Sequence, residues 1–377
     1  MNSSSTAVRL NPFKGLAGPE GRPIAWSPYG RILDERPVFT LDPLFHAGCY
    51  YVQDPSAMYV GHIFRKALDK IGHPGIKVLD LCAAPGGKTT DLAASLRERY
   101  GDDFLLVSNE VMKERARILE SNVALWGDPN VLVCSVDPAV LGELAGFFDI
   151  IVADVPCSGE GMFRKDERAV KEWSEQAVSL CCARQKRILA DIWPALRSGG
   201  VLLYSTCTYE KCENDDNLLW AAQNLGGKII EPQNEFPQLG VELSEYGHLL
   251  RAGVVEGEGQ WVGSLVKEAP CPKASRKLDS IRALRFGVHK GELKGKKFVP
   301  DPDYALSLSF EHEYPEINLD REQALEYLHH DTLRFPQAPL GFNTVCYLGQ
   351  PLGFVNNLGN RCNNLHPNER RILMNIK

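Results

Sequence analysis

The sequence predicts an α/β protein with a doubly wound, mostly parallel sheet of the Rossmann-like kind, followed by a smaller α+β domain. Two observations lead to this prediction. Between about residues 76 and 207, short apolar runs such as 147–153 alternate with stretches of helical length, as in parallel strands joined by right-handed crossovers. Beyond about residue 301, short apolar runs are separated by Gly, Pro and Asn, which favours short strands and turns.

The bulk composition limits the class of protein. A chain of 377 residues with 44% apolar residues can form two or three globular domains. No apolar run is long enough to span a membrane and the first residues do not resemble a signal peptide, so we expect a cytoplasmic protein without a membrane partner. The 11 cysteines then argue against a disulfide framework. Their spacing, without a histidine cluster, argues against zinc, and we expect no metal.

The charge is unevenly distributed. A net charge of −6 argues against a generally basic nucleic-acid binder. Between Lys273 and Lys297, however, basic residues are opposed only by Asp279 and Glu292. This segment is either a footprint for RNA phosphates or a solvated linker, and its composition does not decide between them.

Four regions follow from the pattern along the chain. We expect an N-terminal lead-in over 1–70, a core over 71–268, a basic linker or subdomain over 269–300 and a C-terminal domain over 301–377. In the lead-in we expect a short strand at 7–12 and a helix that opens at Ser56 as N-cap and ends near Ala67.

The core is predicted to alternate strands and helices. The expected strands are 77–81, 104–108, 131–133, 147–153 and 201–206, with further strands near 228–231 and 261–266. The expected helices are 88–99, 113–125 and 167–196, the last broken at Ser198-Gly199-Gly200.

The first strand–helix junction of the core has the composition of a ligand loop. Small residues let a backbone approach a ligand closely, and the start of the following helix offers free N–H groups. The loop is Cys82-Ala83-Ala84-Pro85-Gly86-Gly87-Lys88. A phosphate-binding P-loop needs glycine where Cys82 stands, so we do not expect an NTPase.

Carboxylates follow successive strands of the predicted sheet. Glu110 ends the second strand, where an acidic side chain holds the ribose of a nucleoside cofactor. Asp137 ends the third and is placed to meet an adenine edge. Either residue alone is equally a helix cap. Acids at successive strand ends around one crevice favour a nucleoside site, and the scarcity of basic residues there favours S-adenosylmethionine over a pyrophosphate cofactor.

Two cysteines lie at the ends of neighbouring strands. Cys157 follows Asp154, and Cys207 ends the next predicted strand. A lone cysteine is most often a buried apolar residue. Two of them beside a carboxylate suit methylation of cytosine at carbon 5, in which a thiolate adds to carbon 6. A second thiol then assists release, and Asp154 is placed to act as the acid near ring nitrogen 3.

Four stretches resemble the Sun-type family of RNA cytosine-5 methyltransferases. They are 46–58 (HAGCYYVQDPSAM), 82–88 (CAAPGGK), 154–165 (DVPCSGEGMFRK) and 205–208 (STCT). The resemblance implies that Cys207 attacks the base and that Cys157 helps to release the product. It also implies that S-adenosylmethionine is bound by Cys82, Ala83, Ala84, Pro85, Gly86, Gly87, Lys88, Glu110, Asp137 and Asp154. The family usually has Asn-His before the adenine-contacting Asp, where this chain has Ser135-Val136.

The C-terminal segments 349–354 (GQPLGF) and 359–361 (GNR) resemble the PUA-like RNA-binding module of bacterial small-subunit rRNA methyltransferases of the F type. The resemblance implies that the protein acts on 16S rRNA, either free or in an assembling ribosomal subunit. We also expect a monomer. Few residues precede the first strand, so the N-terminal RNA-binding part is either reduced or truncated.

Three other functions remain as alternatives: methylation of tRNA by the same chemistry, a non-catalytic RNA-binding factor for ribosome assembly, and an amino-group methyltransferase. The third needs a polar-Pro-Pro-aromatic strand end, which Asp154-Val155-Pro156-Cys157 is not. A binding factor has no need of both thiols.

Overall fold

The computed structural model of this chain describes residues 5–159 and 173–376. The chain begins with β1 (Thr6–Leu10), β2 (Arg22–Ile24), β3 (Ser27–Leu33), α1 (Pro43–His46) and β4 (Tyr50–Val52). The four strands form an antiparallel sheet in the order β2-β3-β1-β4. The strand expected at 7–12 is confirmed.

A mixed sheet forms the centre of the described structure. Its strands are β5 (Ile76–Asp80), β6 (Phe104–Asn109), β7 (Val131–Cys134), β8 (Phe148–Asp154), β9 (Leu196–Thr206), β10 (Gly227–Ile229), β11 (Val241–Leu243), β12 (Gly247–Leu250), β13 (Gln260–Lys267) and β14 (Ala283–Arg285). The order is β11-β12-β13-β9-β8-β5-β6-β7-β14, with β10 also beside β13. Only the middle strands, from β9 to β7, pair in parallel.

The predicted α/β class is confirmed, but the expectation of a mostly parallel sheet is wrong at the edges. The strands after β9 pair antiparallel, as does β14 with β7. The turn between β11 and β12 spans only residues 244–246, and a connection this short permits only antiparallel pairing.

Helices cover both faces of this sheet. They are α2 (Tyr59–Ile71), α3 (Gly87–Tyr100), α4 (Lys113–Trp126), α5 (Pro138–Gly142), α6 (Glu175–Ile192) and α7 (Asp215–Leu225). Successive residues of a strand point to opposite faces. Val78 therefore packs in one apolar cluster with Leu92 of α3, and Leu79 packs in the other with Leu189 of α6.

Two predicted helix boundaries are wrong. Helix α2 begins at Tyr59 with Met58 as its N-cap, because the hydroxyl of Ser56 donates to the Asp54 carboxylate instead of capping a helix. Helix α6 begins at Glu175, capped by Ser174. The predicted helical residues 167–172 lie outside the described residues.

The glycine pair Gly199-Gly200 does not break a helix. Helix α6 ends at Ile192 and a single 3₁₀ turn, Trp193–Ala195, leads into β9, so both glycines lie within that strand. A Cβ on Gly200 would lie 2.9 Å from the carbonyl oxygen of Asp149. Glycine here allows β9 to approach β8 closely, which is the use of a strand glycine.

The C-terminal part contains a hairpin and a second small sheet. Its elements are β15 (Gly291–Lys294), β16 (Lys297–Pro300), β17 (Glu316–Leu319), α8 (Arg321–His329), β18 (Gly341–Tyr347), β19 (Gln350–Asn357) and β20 (Cys362–Asn364). The last four strands pair in the order β17-β18-β19-β20. Among the described residues, no helix is long and apolar enough to cross a membrane.

The basic segment is an ordered part of the fold. Its strand β14 pairs with β7 and extends the central sheet, and its strands β15 and β16 form the hairpin. Its C-terminal neighbour, the module of β17–β20 and α8, shares an apolar cluster with the lead-in, in which Leu319 and Leu328 lie with Val8 and Leu10.

Candidate active site

The sheet reverses its order between β5 and β8. Strand β6 lies to one side of β5, while β8 and β9 lie to the other. In open α/β sheets, ligands bind at the carboxyl ends of the strands beside such a reversal. The loop Cys82–Lys88 follows β5 and Asp154 ends β8, so the topology places both predicted segments at this crevice.

Two glycines shape the loop between β5 and α3. Gly86 has a φ angle of 114° and immediately precedes the first residue of α3, a conformation that glycine adopts without strain. A Cβ on Gly87 would lie 3.2 Å from Cε1 of Tyr51 and 3.4 Å from Nε2 of Gln53. The lead-in therefore packs closely on the start of α3.

Helix α4 holds the other side of this loop. The guanidinium of Arg115 donates to the carbonyl of Ala84 at 2.8 Å, and the amide of Asn122 donates to the carbonyl of Pro85 at 2.7 Å. Backbone groups of a loop fixed in this way are positioned before a ligand arrives.

Glu110 and Asp137 lie at the predicted strand ends but are engaged by their own chain. Glu110 accepts a hydrogen bond from the backbone N–H of Met112 at 3.0 Å, and its other oxygen lies 3.2 Å from Nη1 of Arg115. Asp137 accepts from the N–H of Ala139 and is the N-cap of α5. The helix-cap alternative therefore describes Asp137 in this structure.

Asp80, at the end of β5, is a buried carboxyl group below the loop. It accepts a hydrogen bond from the hydroxyl of Thr89 at 2.7 Å, and its Oδ1 has no hydrogen-bond partner among the described residues. Burial raises the pKa of Asp80 from 3.8 to about 7. An unpartnered buried acceptor beside a glycine-rich loop fits a ligand with N–H or O–H donors.

A cavity of about 210 Å³ opens beside the loop. It is lined by Tyr51, Val52, Gln53, Asp54, Ala57, Cys82, Ala83, Ala84, Pro85, Gly87, Lys88 and Asp154. It is smaller than a site for a whole drug-sized ligand, so it suits only part of a nucleoside cofactor. Among the described residues its lining does not include Glu110 or Asp137.

The Asp154 carboxylate accepts hydrogen bonds from three side chains. The ammonium group of Lys88 donates to Oδ2 at 2.7 Å, and the hydroxyl of Ser205 donates to Oδ1 at 2.7 Å. Gln260 on β13 donates to Oδ1 at 3.1 Å and to the carbonyl of Thr206 at 2.9 Å. Burial opposes the charge of Lys88, but Asp154 outweighs it and raises the pKa of the ammonium group.

The two predicted cysteines touch through their sulfur atoms. Sγ of Cys157 lies 3.1 Å from Sγ of Cys207. The S–H of Cys157, donated to the other sulfur, lowers the pKa of the Cys207 thiol, against the opposing effects of burial and Asp154 and with help from Lys88. The same hydrogen bond, followed by burial, raises the pKa of Cys157. Cys207 is therefore the better thiolate of the pair.

The structure brings Lys88, Asp154, Cys157 and Cys207 together, as expected from the sequence. It also adds side chains that the sequence did not single out. Gln260 comes from a strand more than fifty residues later and pairs with β9 only in the folded sheet. Gln53 lies in the stretch 46–58 that resembles the family, so the sequence contained a signal for this residue.

Comparison with known proteins identifies two segments. Residues 72–230 match the family described as 16S rRNA methyltransferase RsmB/F, and residues 314–372 match the methyltransferase RsmF PUA domain. The first match covers β5–β10 of the central sheet but not β11–β14, and the second covers the module of β17–β20 and α8.

Several curated relatives are named ribosomal RNA small subunit methyltransferase F. The protein from Shewanella loihica is 28% identical over 326 residues, which cover 70% of this chain and 67% of that relative. The protein from Salmonella paratyphi A is 34% identical over 197 residues, or 51% of this chain and 41% of that relative. The chain thus spans less than half of the Salmonella relative and two thirds of the Shewanella one.

Solved structures show the same fold. A methyltransferase homologue from Pyrococcus horikoshii has 29% sequence identity and a TM-score of 0.56, covering 71% of this chain and 87% of that one. NSun6 from the same organism, solved with SFG, has 24% identity and a TM-score of 0.52, covering 62% and 57%. The predicted methyltransferase fold and the predicted cofactor, S-adenosylmethionine, are confirmed. The central part of the chain therefore resembles the RsmB/F methyltransferases, and its C-terminal module resembles the PUA domain of RsmF.

Proposed function

We propose that this chain forms 5-methylcytosine in RNA, in particular 16S rRNA, by covalent catalysis. The observation that carries the proposal is the 3.1 Å contact between the sulfurs of Cys157 and Cys207 beside the Lys88–Asp154 ion pair. Methylation of an oxygen or a nitrogen does not require a thiol, because those atoms carry their own lone pairs. Carbon 5 of cytosine has no lone pair and reacts only after a nucleophile such as a thiolate has added to carbon 6.

Cys207 is the proposed nucleophile. Carbon 5 of cytosine reacts poorly until the Cys207 thiolate adds to carbon 6, which places an electron pair on carbon 5. S-Adenosylmethionine, when bound, supplies the methyl group. The lowered pKa of the Cys207 thiol supports this role, because a larger fraction of the group is thiolate near neutral pH.

Asp154 and Lys88 take the acid role near ring nitrogen 3. Addition to carbon 6 sends negative charge into the ring, and a proton or a hydrogen bond at nitrogen 3 stabilises it. Asp154 orients the Lys88 ammonium group through the 2.7 Å contact. The raised pKa of Lys88 keeps it protonated and thus able to donate.

Cys157 is the proposed aid to release. A base then takes the proton from carbon 5, its electron pair re-forms the double bond between carbons 5 and 6, and the bond between carbon 6 and sulfur breaks with its electron pair returning to Cys207. The raised pKa of Cys157 keeps its S–H intact. From 3.1 Å it can donate to the departing sulfur and stabilise it.

The cofactor site combines the loop with the strand-end acids. We assign the loop Cys82–Lys88 and Asp154 to it, because Asp154 and every residue of the loop except Gly86 line the cavity. Glu110 and Asp137 keep their proposed roles toward ribose and adenine. In this structure Arg115 and the α5 N-terminus engage them, so each role requires that the side chain exchange a partner.

The choice of RNA rests on the relatives and on the C-terminal module. The small-subunit methyltransferases F and the PUA match support rRNA as the substrate, with RNA as the partner of a cytoplasmic, monomeric enzyme. Methylation of tRNA by the same catalytic residues remains an alternative. Identification of the methylated RNA decides between the two substrates.

The test is nucleoside mass spectrometry of RNA incubated with the protein and S-adenosylmethionine. We expect 5-methylcytosine in 16S rRNA, and a loss of at least a thousandfold in rate for Cys207→Ala, in line with removal of a covalent nucleophile. Cys212→Ala, a nearby thiol outside the sulfur pair, serves as the control and should keep its activity. Full activity of Cys207→Ala would rule out the nucleophile.

A further inference from the structure

Glu213 and Asn214 form a buried polar pair that the sequence analysis did not single out. They lie between β9 and α7, and their exposed fractions are 0% and 1%. A buried carboxylate is costly unless hydrogen bonds offset its desolvation. Its partners therefore indicate what the pair does.

Glu213 holds the loop that carries Cys157. Its Oε2 accepts from the backbone N–H of Ser158 at 3.1 Å and from Nε2 of Gln185 at 2.6 Å. Gln185 in turn donates to the carbonyl of Pro156 at 2.9 Å. The peptide groups on both sides of Cys157 are thus fixed through one carboxylate.

Asn214 holds the strand end that carries Cys207 in the same manner. Its Oδ1 accepts from the hydroxyl of Thr206 at 2.5 Å, and its Nδ2 donates to the carbonyl of Thr208 at 2.9 Å. The hydroxyls of Thr208 and Ser158 lie 3.0 Å apart and join the two loops directly.

The supports of this pair are themselves fixed. Gln185 is fully buried, and its Oε1 accepts from the hydroxyl of Tyr204 at 3.2 Å and from Nδ2 of Asn217 at 2.7 Å. The Tyr204 hydroxyl also donates to the carbonyl of Glu213 at 2.5 Å. Side chains locked by a second set of hydrogen bonds hold a site to a fraction of an ångström.

We propose that Glu213 and Asn214 are positioning residues that set the contact between the two sulfurs. Neither touches a sulfur; each acts through the backbone on both sides of one cysteine. The inference rests on the proposed covalent chemistry, because it assigns these residues a part in preparing Cys207 as a thiolate. Loosening either loop lengthens the contact that lets Cys157 stabilise that thiolate.

The test measures the pH dependence of Cys207 alkylation by iodoacetamide in the RNA-free protein, read peptide by peptide by mass spectrometry. Glu213→Gln retains the size of the side chain but removes its negative charge, so the charge-assisted hydrogen bonds from Ser158 and Gln185 become weaker neutral ones. We expect the midpoint of the profile to rise by at least one pH unit and the rate at pH 7 to fall about tenfold. In the methylation assay kcat should fall while KM for RNA is retained.

Asp215→Asn is the matched control. Asp215 is the adjacent buried carboxylate, but it holds Ser244 at 2.8 Å and the N–H of Tyr246 at 2.7 Å, away from the thiol loops. Its variant should leave the alkylation profile unchanged. A folded Glu213→Gln with the unmutated profile overturns the proposal, as does an equal shift in Asp215→Asn.

A second variant covers a failure of Glu213→Gln to fold. Thr206→Val preserves shape and removes only the hydroxyl that donates to Asn214. A raised midpoint in this folded variant supports the proposal and an unchanged midpoint contradicts it. The readout does not need RNA. A shifted profile in a protein that makes no 5-methylcytosine would therefore leave the positioning role standing and remove the proposed function.

Discussion

Among single residues, Asp80 gives the most direct prediction for how the stability of the fold depends on pH. Its folded-state pKa of about 7 exceeds the 3.8 of the unfolded chain. Between these two values the folded protein keeps a proton that the unfolded chain has released. The contribution of Asp80 to stability is therefore complete below about pH 4 and is lost as the pH rises to about 7.

The variant Asp80→Asn tests this dependence. Asparagine resembles the protonated carboxyl group, so it avoids burying a charge at high pH. A pKa rise from 3.8 to about 7 corresponds to an upper bound of roughly 4 kcal/mol. We expect the variant to gain stability relative to the unmutated protein between pH 5 and pH 8, measured as the free energy of unfolding in urea. An equal difference at the two pH values would refute the raised pKa.

The sequence predicted which side chains of the site follow the parallel strands. Cys157, Cys207 and Asp154 were expected to meet because neighbouring parallel strands end at the same edge, and the structure brings them together. The sequence did not identify Gln260 and Glu213 as residues of the site. Their positions depend on an antiparallel edge strand and on a loop fold, which strand periodicity does not specify.

At the scale of elements, the sequence predicted the parallel strands β5–β8 and the helices α3 and α4 to within one residue, but it did not predict β11, β12, β14, α5 or α7. Two of the boundary errors occurred where a local contact competes with propensity. Serine is a residue type that commonly caps helices, but the hydroxyl and the backbone N–H of Ser56 both donate to the Asp54 carboxylate. Gly199-Gly200 is typical of a helix end, but here Gly200 allows β9 to pack closely against β8.

The hairpin β15–β16 is the element that decides between the footprint and linker interpretations of the basic segment. Much of the positive charge in the segment is already paired. Arg276 contacts Glu143, Arg285 contacts Asp303, Lys290 contacts Glu311 and Lys294 contacts Glu292. Lys296 and Lys297 lie exposed at the hairpin turn. Lys297 donates to the amide of Asn356 at 3.2 Å, which is neutral, so both positive charges remain candidates for contact with phosphate.

The double variant Lys296→Glu/Lys297→Glu reverses both charges. It should weaken the binding of RNA whatever the RNA sequence. If each lysine contacts one phosphate, the slope of log K against log salt should fall by about 1.5. The measurement is a titration of RNA at several salt concentrations. The same double reversal at Lys70 and Lys228, on α2 and β10, controls for net charge. A slope equal to that of the control would reject the hairpin as a footprint.

At the scale of the whole molecule, the lead-in joins the central sheet to the C-terminal module. Arg9 of β1 donates to Gln53 at 3.0 Å and to the carbonyl of Gly87 at 3.2 Å, which ties the lead-in to the cofactor loop. On its other side the lead-in shares an apolar cluster with the module, and Arg321 of α8 donates to the carbonyl of Leu41 at 3.0 Å.

This arrangement explains which part of the architecture the sequence could not supply. Alternation of strands and helices predicts a parallel α/β sheet, because parallel strands need crossover helices, but it does not predict the order of the strands. Docking of the lead-in depends on contacts between residues far apart in the chain, such as Val8 and Leu328. No local pattern encodes contacts of that range.

The measurement that tests the central claim most directly is a covalent trap. Cys157→Ala is incubated with S-adenosylmethionine and cellular RNA, and the mixture is denatured and examined for a protein–RNA adduct. Because release is impaired while attack by Cys207 continues, we predict an adduct that survives denaturation and disappears when Cys207 is also replaced. Sequencing the trapped RNA should name 16S rRNA.

Cys212→Ala in place of Cys157→Ala is the matched control and should trap no RNA. A trapped tRNA would preserve the chemistry and change the substrate. Absence of any adduct, from a protein whose unmutated form methylates the same RNA, would contradict the assignment of attack and release to Cys207 and Cys157.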